Sequence, residues 1–212
     1  MLDDNTAPGG FPIAHDDEKA LRHRLAHSHV AIVGCGGLGS NAAVMLVRSG
    51  LGRVTLIDFD IVEEDNLNRQ YFFREHIGMR KTVALADVLR RIMPDVALTI
   101  VDERMTEENL LASVDGADVV VEAVDSAETK AMIANVALRH TPHIPLVTAS
   151  GLAGFATAND VLTERIAENF YLVGDLHSDV RHGLPLLASR VAIAAGHQAH
   201  AAIRILLGHT EP

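Results

Sequence analysis

From residue 30 to about residue 151, short β-branched and aliphatic runs take turns with segments of helical period, and this alternation constrains the fold most. The apolar runs are 30–33, 54–57, 96–101, 119–121 and 145–148, with helix-compatible segments near 38–49, 79–93, 107–113 and 127–140. Strands that alternate with helices form a parallel sheet covered on both faces. Beyond residue 151 the pattern changes. Strand-like pieces near 155–163 and 169–173 precede a polar stretch at 174–185 and a small-residue helix from about 187 to 207, stopped by Gly208. The expected fold is α/β, with a Rossmann-like sheet, largely parallel but with antiparallel C-terminal strands, and helices on both faces. Residues 1–14 read as a flexible tail, a short helix is expected at 16–26, and 15–212 as one domain.

Composition removes several classes of function. At 48% hydrophobic residues the chain is not a disordered one, and a single cysteine excludes a disulfide scaffold. Eighteen basic against 28 acidic residues give a net charge of −10, which repels phosphate backbones and argues against a nucleic-acid partner. No apolar run approaches the ~18 residues a bilayer span needs. The first 17 residues lack the charged-then-apolar pattern of a leader. A cytoplasmic protein with no membrane partner is expected.

The first strand runs into G-C-G-G-L-G at residues 34–39. In this G-x-G-x-x-G pattern Gly34 permits a tight turn, Gly36 lets backbone amides approach a phosphate, and Gly39 lets the helix pack close to the strand. Gly37 adds a further position without a side chain. The helix N-terminus supplies unpaired N–H groups and a partial positive charge. Asp58, 19 residues after Gly39 at the end of the second strand, stands where a carboxylate accepts ribose hydroxyls. The loop alone does not choose between a dinucleotide and ATP. Cys35 fills a place that needs a small residue, with a reactive thiol as the lesser reading.

The residues after Asp58 bear on that choice. Asn66, Arg69 and Gln70 fall at i, i+3 and i+4, one face of a helical turn and better suited to a polyphosphate than to a nicotinamide. The chain holds 15 arginines but only Lys19, Lys81 and Lys130 as lysines. Lys81 and Lys130 lie beside the nucleotide motifs, where a compact ammonium can meet a phosphate oxygen; a solvated position at a helix end is the alternative for each. Asp125 follows the fourth strand, at the sheet end where open α/β folds bind ligands. It is placed to hold Mg²⁺ against phosphates, or else to cap the helix starting near Ser126. The twelve histidines, among them the pairs His27/His29 and His197/His200, form no ordered ligand set.

Taken together, the glycine loop, the pair Asp58 and Asp60, the Asn66–Leu67–x–Arg69–Gln70 run, Lys81 and Asp125 resemble the E1-like adenylyltransferases, the superfamily that activates ubiquitin-fold carriers. Within it, 122–131, 148–154 and 190–199 resemble the compact ThiF-type branch most. That resemblance implies ATP-dependent adenylylation of the C-terminal glycine of a ubiquitin-like sulfur carrier ending in Gly-Gly, ThiS-like, in thiamine thiazole synthesis. It implies that Gly34, Gly36, Gly37, Gly39, Asp58, Asp60, Asn66 and Gln70 bind the nucleotide. Arg69, Lys81 and Asp125 would be catalytic, with Asp125 carrying Mg²⁺. It also implies a homodimer, with Arg22 or Arg24 reaching the partner's site; the polar stretch at 174–185, of loop composition and of a length usual for functional loops, is the candidate flap over the substrate groove.

One cysteine cannot build the paired Cys-x-x-Cys zinc site of many relatives, so no structural zinc is expected. No cysteine lies in 152–212, so a separate protein would donate sulfur. Activation of a MoaD-like carrier or of a tRNA-linked carboxylate is the alternative within the superfamily. An NAD-dependent oxidoreductase and a non-catalytic carrier-binding module are the rivals outside it.

Overall fold

The computed structural model describes residues 15–211. The expected tail at 1–14 lies outside them. The elements run α1 (His15–His27), β1 (His29–Val33), α2 (Gly37–Arg48), β2 (Arg53–Ile57), α3 (Lys81–Ile92), β3 (Ala97–Val101), α4 (Glu107–Val114), β4 (Val119–Glu122), α5 (Ala127–His140), β5 (Leu146–Ala149), β6 (Leu162–Ala167), β7 (Phe170–Gly174) and α6 (Ala188–Leu206). Single 3₁₀ turns lie at Glu64–Asn66, Arg74–His76, Ala158–Asp160 and Val180–His182.

Seven strands form one sheet in the order β3-β2-β1-β4-β5-β7-β6. All neighbours pair parallel except β6 and β7. The antiparallel character expected of both C-terminal strands thus belongs to the β6–β7 hairpin, with β7 itself parallel to β5. β1, β4 and β5 are buried along their whole length, which explains why their sequences are continuous apolar runs rather than alternating ones.

Each sheet face has its own core. On one, Ile32, Leu56, Val121 and Val147 meet Leu46 and Val47 of α2, Leu85 and Leu89 of α3 and the alanines of α6. On the other, Ala31, Val33, Ile57, Val120 and Leu146 meet Leu110 and Val114 of α4 and Ile133 and Val136 of α5. The small residues of α6 let it lie against α2 within the same fold, and a Cβ at Gly196 would already touch Met45 Sδ at 3.8 Å.

The expected strand at 155–163 begins only at Leu162. Residues before it carry Thr157, Asn159 and Asp160, and the Thr157 hydroxyl accepts the Asn159 N–H (3.3 Å) to close a 3₁₀ turn. Such local side-chain bonds offer the backbone an alternative to a ladder. In this order the chain reverses direction across the sheet between β1 and β4, and the loops leaving their C-terminal ends frame a crevice.

Candidate active site

The loop between β1 and α2 is shaped by close approach. Gly34 has φ +98°, and a Cβ there would sit 2.7 Å from the carbonyl carbon of Ala123, against the strand exit of β4. A Cβ on Gly39 would run into the Gly34 carbonyl oxygen. At Gly36, by contrast, the space is open, with Gln70 Nε2 the nearest group at 3.8 Å. Gly36 is the N-cap of α2 and contributes no capping side chain, so the first turn of α2 keeps N–H groups without a side-chain acceptor. A Cβ on Gly37 would sit 3.1 Å from Val191 Cγ1 and 3.8 Å from Arg69 Cγ, so the start of α6 and the Arg69 side chain lie against the loop.

Asp58 leaves β2 into this corner. Its Oδ2 accepts the Cys35 N–H (2.6 Å) and its Oδ1 the Asp60 N–H (2.8 Å), so the carboxylate ties β2 to the glycine loop. Cys35 is buried. Burial, and after it the Asp58 charge, pushes its thiol well above the ordinary range, and this removes the reactive-thiol reading.

Lys81 opens α3 and is 9% exposed, with Nζ 2.9 Å from Asp60 Oδ2. Its backbone N–H also donates to the Asp60 carbonyl (2.9 Å). A cation in the first turn opposes the helix dipole, and no acidic residue shares that turn. The solvated-lysine alternative is therefore gone, and Asp60 is the anion that meets the charge within the protein.

The segment at 66–70 coils as expected: the Gln70 N–H donates to the Asn66 carbonyl at 2.9 Å. Asn41 of α2 clamps it, with Nδ2 donating to the carbonyls of Gly37 (2.7 Å) and Arg69 (3.0 Å), while Ser40 Oγ accepts the Tyr71 N–H (2.9 Å). Asn66 Oδ1 accepts the Glu63 N–H (3.1 Å), and Arg69 Nη1 donates to the Asp65 carbonyl (3.1 Å) and Asn68 Oδ1 (2.8 Å). Gln70 is buried, and among the described residues its Oε1 has no partner. An orphaned acceptor beside an open glycine costs free energy unless a ligand completes it.

Asp125 emerges just past the Ala123–Val124 backbone that packs under Gly34. It is exposed and makes no hydrogen bond or ion pair among the described residues. The helix cap belongs to Ser126, whose Oγ accepts the Thr129 N–H (3.3 Å), so the capping alternative for Asp125 falls away.

Two charge pairs escaped the sequence reading. Glu122 closes an otherwise all-valine strand and is 1% exposed, with Lys130 Nζ 2.9 Å from its Oε1; Lys130 is thus neither a phosphate contact nor a solvated residue. An acid ending a buried strand, eight positions before a rare lysine, was the available signal. Asp175 and Arg190 form a second buried pair, Nη2 to Oδ2 2.5 Å. Burial alone would raise the Asp175 pKa, but N–H bonds from Ser178 (2.8 Å) and His177 (3.1 Å) and the Arg190 guanidinium hold it down at about 2. Arg190 Nη1 also donates to the carbonyls of Ala156 (2.9 Å) and Thr157 (3.1 Å). The segment expected to be a flap is therefore pinned at its start. His29 and His197 have structural partners, His29 in Gly116 and Thr55 (2.8 Å each) and His197 in Thr163 (2.9 Å).

Known proteins resemble this chain in sequence and in fold. The tRNA threonylcarbamoyladenosine dehydratase of Escherichia coli (strain K12) is 40% identical over 139 residues, 65% of this chain and 51% of that protein. The sulfur carrier protein ThiS adenylyltransferase of the same strain is 40% identical over 152 residues, 69% of this chain and 59% of that protein. The chain thus spans between half and three fifths of these relatives. A crystal structure of E. coli tRNA N6-threonylcarbamoyladenosine dehydratase, TcdA, in complex with ATP superposes with a TM-score of 0.83 at 26% identity, covering 92% of each chain. With the ThiF family model matching residues 12–212, the chain belongs to the ThiF family, within the E1-like superfamily.

Proposed function

We propose that the protein is an ATP-dependent adenylyltransferase that activates the C-terminal glycine carboxylate of a ubiquitin-like sulfur carrier of the ThiS type. The buried Lys81 ammonium at the start of α3 carries this reading, because it keeps a positive charge, countered by the half-exposed Asp60, at the corner where Asp58 ties β2 to the glycine loop and a triphosphate needs its charge offset. The nucleotide fits the residues present: the uncapped start of α2, the open space at Gly36 and the orphaned Gln70 Oε1 all favour an incoming polar ligand. ATP binding by the superposed dehydratase and the adenylyltransferase activity named for the ThiS relative support the same class.

In this chemistry a carboxylate attacks the α-phosphorus of ATP and pyrophosphate leaves, giving an acyl-adenylate. The carboxylate is ionised at pH 7, so no general base is needed. What the chain must supply is charge neutralisation and alignment, which in such sites is the larger part of catalysis. Lys81 and Arg69 bring the positive charge, the α2 amides and Gln70 bring hydrogen bonds, and Asp58 and Asp60 edge the ribose side. Mg²⁺, which takes one or two carboxylates with phosphate oxygens, would be held by Asp125 and would neutralise phosphate charge. Cys35 is buried and is the only cysteine, so sulfur is delivered by a separate protein. Arg22, ion-paired with Glu18 at 2.7 Å, and the exposed Arg24 are the α1 cations a second copy would receive in a homodimer.

The likeness to the tRNA dehydratase favours one second reading, activation of a tRNA-linked carboxylate; the net charge of −10 weighs against it. ATP–pyrophosphate exchange with Gly-Gly carriers and with tRNA as alternative substrates decides between them. Carrier-dependent exchange that disappears in Asp125→Ala is the expected result. Exchange with tRNA alone transfers the activity to the second reading, and exchange with neither refutes both.

A further inference from the structure

The Glu122 carboxylate lies under the loop that presents Asp125 and is held from every side. Lys130 Nζ donates to both oxygens (2.9 and 3.0 Å), the Thr148 hydroxyl donates to Oε2, and the Val124 N–H donates to Oε1 (2.7 Å). The Glu122 carbonyl in turn accepts from the buried Gln198 Nε2 (2.8 Å). Strands β4 and β5 and helices α5 and α6 therefore converge on one residue. Stability does not explain such a cluster, because apolar residues of similar volume commonly replace a buried ion pair without loss.

Its position gives it another use. The Val124 N–H bonds back to the Glu122 carboxylate just where the chain leaves β4. The Ala123 N–H still pairs with the Val33 carbonyl (2.8 Å), the Ala123–Val124 backbone lies against Gly34, and the chain then bends at Asp125, which is exposed and without a partner among the described residues. Lys130 sits in the first full turn of α5, its N–H bonded to the Ser126 carbonyl (2.9 Å), so the same ammonium fixes the far end of the loop.

We infer that Glu122 and Lys130 are a positioning pair that sets where the Asp125 carboxylate stands beside the glycine loop, and through it how readily the enzyme takes up its divalent cation. The inference rests on the proposed metal role of Asp125. It predicts a metal-affinity effect in residues that touch neither nucleotide nor metal.

The test compares Lys130→Met, Lys130→Arg, Glu122→Gln and Asp125→Ala in the full chain. Two readouts are taken: amide hydrogen exchange across 122–126 in the nucleotide-free protein, and the Mg²⁺ concentration giving half-maximal ATP–pyrophosphate exchange. Lys130→Met is expected to speed amide exchange in that segment alone and to raise the Mg²⁺ requirement about tenfold, the low end of losses seen when groups behind a metal ligand are removed. Lys130→Arg is expected to restore both. Glu122→Gln, which keeps an acceptor for Val124 but not the charge, is expected to shift both in the same direction, and it carries the test if Lys130→Met does not fold. Unchanged amide exchange with an unchanged Mg²⁺ requirement overturns the positioning role. If Asp125→Ala retains full activity, the metal reading of the site fails instead, whatever Lys130 does.

Discussion

Lys81 spends its charge where the helix dipole opposes it, and its one side-chain partner among the described residues, Asp60, is 48% exposed. Lys81→Ala is therefore expected to lower kcat/KM by at least about 30-fold, the equivalent of ~2 kcal/mol of lost charge stabilisation, while urea titration shows a fold nearly as stable as the parent. A rate within threefold of wild type would return Lys81 to a structural role. Asp175 is the residue with the clearest pH signature. Its carboxyl is depressed to about 2 from 3.8, so the stability it contributes is complete above pH ~4 and is lost as the pH falls through 2. That linkage amounts to about 2 kcal/mol. Asp175→Asn should flatten this part of the acid limb in urea titrations between pH 2.5 and 5. At pH 7 it should cost about 3 kcal/mol, because Arg190 is left buried without its counter-charge.

Between β1 and α2, neighbouring glycines do different work, and substitution separates them. Gly39→Ala drives a methyl into the Gly34 carbonyl, so the strand–turn–helix unit cannot close and little folded protein is expected on size exclusion. Gly36→Ala meets only Gln70 Nε2 at 3.8 Å; it should keep the parent melting temperature but lose most of the ATP-induced shift. Equal melting temperatures and equal ATP shifts in the two variants would dissociate the loop from nucleotide binding. β1, β2, β4 and β5 were legible because burial on both faces writes them as nearly unbroken aliphatic runs. Helices α2 to α6 were legible from period and from stops such as Gly208. The start of β6 was not, because Thr157 and its neighbours satisfy their own backbone locally. The loop residues 66–70 could be read from spacing, yet their clamp by Ser40 and Asn41 could not, since it depends on a contact about 30 positions away.

Across the molecule, seven strands and two cores leave one end of the sheet for chemistry, and ligand linkage should report on it. At 100 times its dissociation constant ATP should stabilise the fold by ~2.7 kcal/mol, a rise of roughly 5–10 °C in Tm for a chain of this size, with NAD giving none. A shift with NAD equal to that with ATP would favour the oxidoreductase. Asp175 with Arg190 was the charge pair hidden from the sequence, since the fold alone brings the end of β7 to the start of α6; Glu122 with Lys130, eight positions apart, left a signal in the acid that ends a buried strand. The contact of Gly34 with Ala123 and Val124 has a consequence for descent as well. The glycine turn and the β4 exit are in steric register: any side chain at position 34 meets the Ala123–Val124 backbone itself, so that position stays glycine unless the β4 exit moves. Sequence change is therefore expected to collect on the β5–β7 flank, which can vary without reopening that seam.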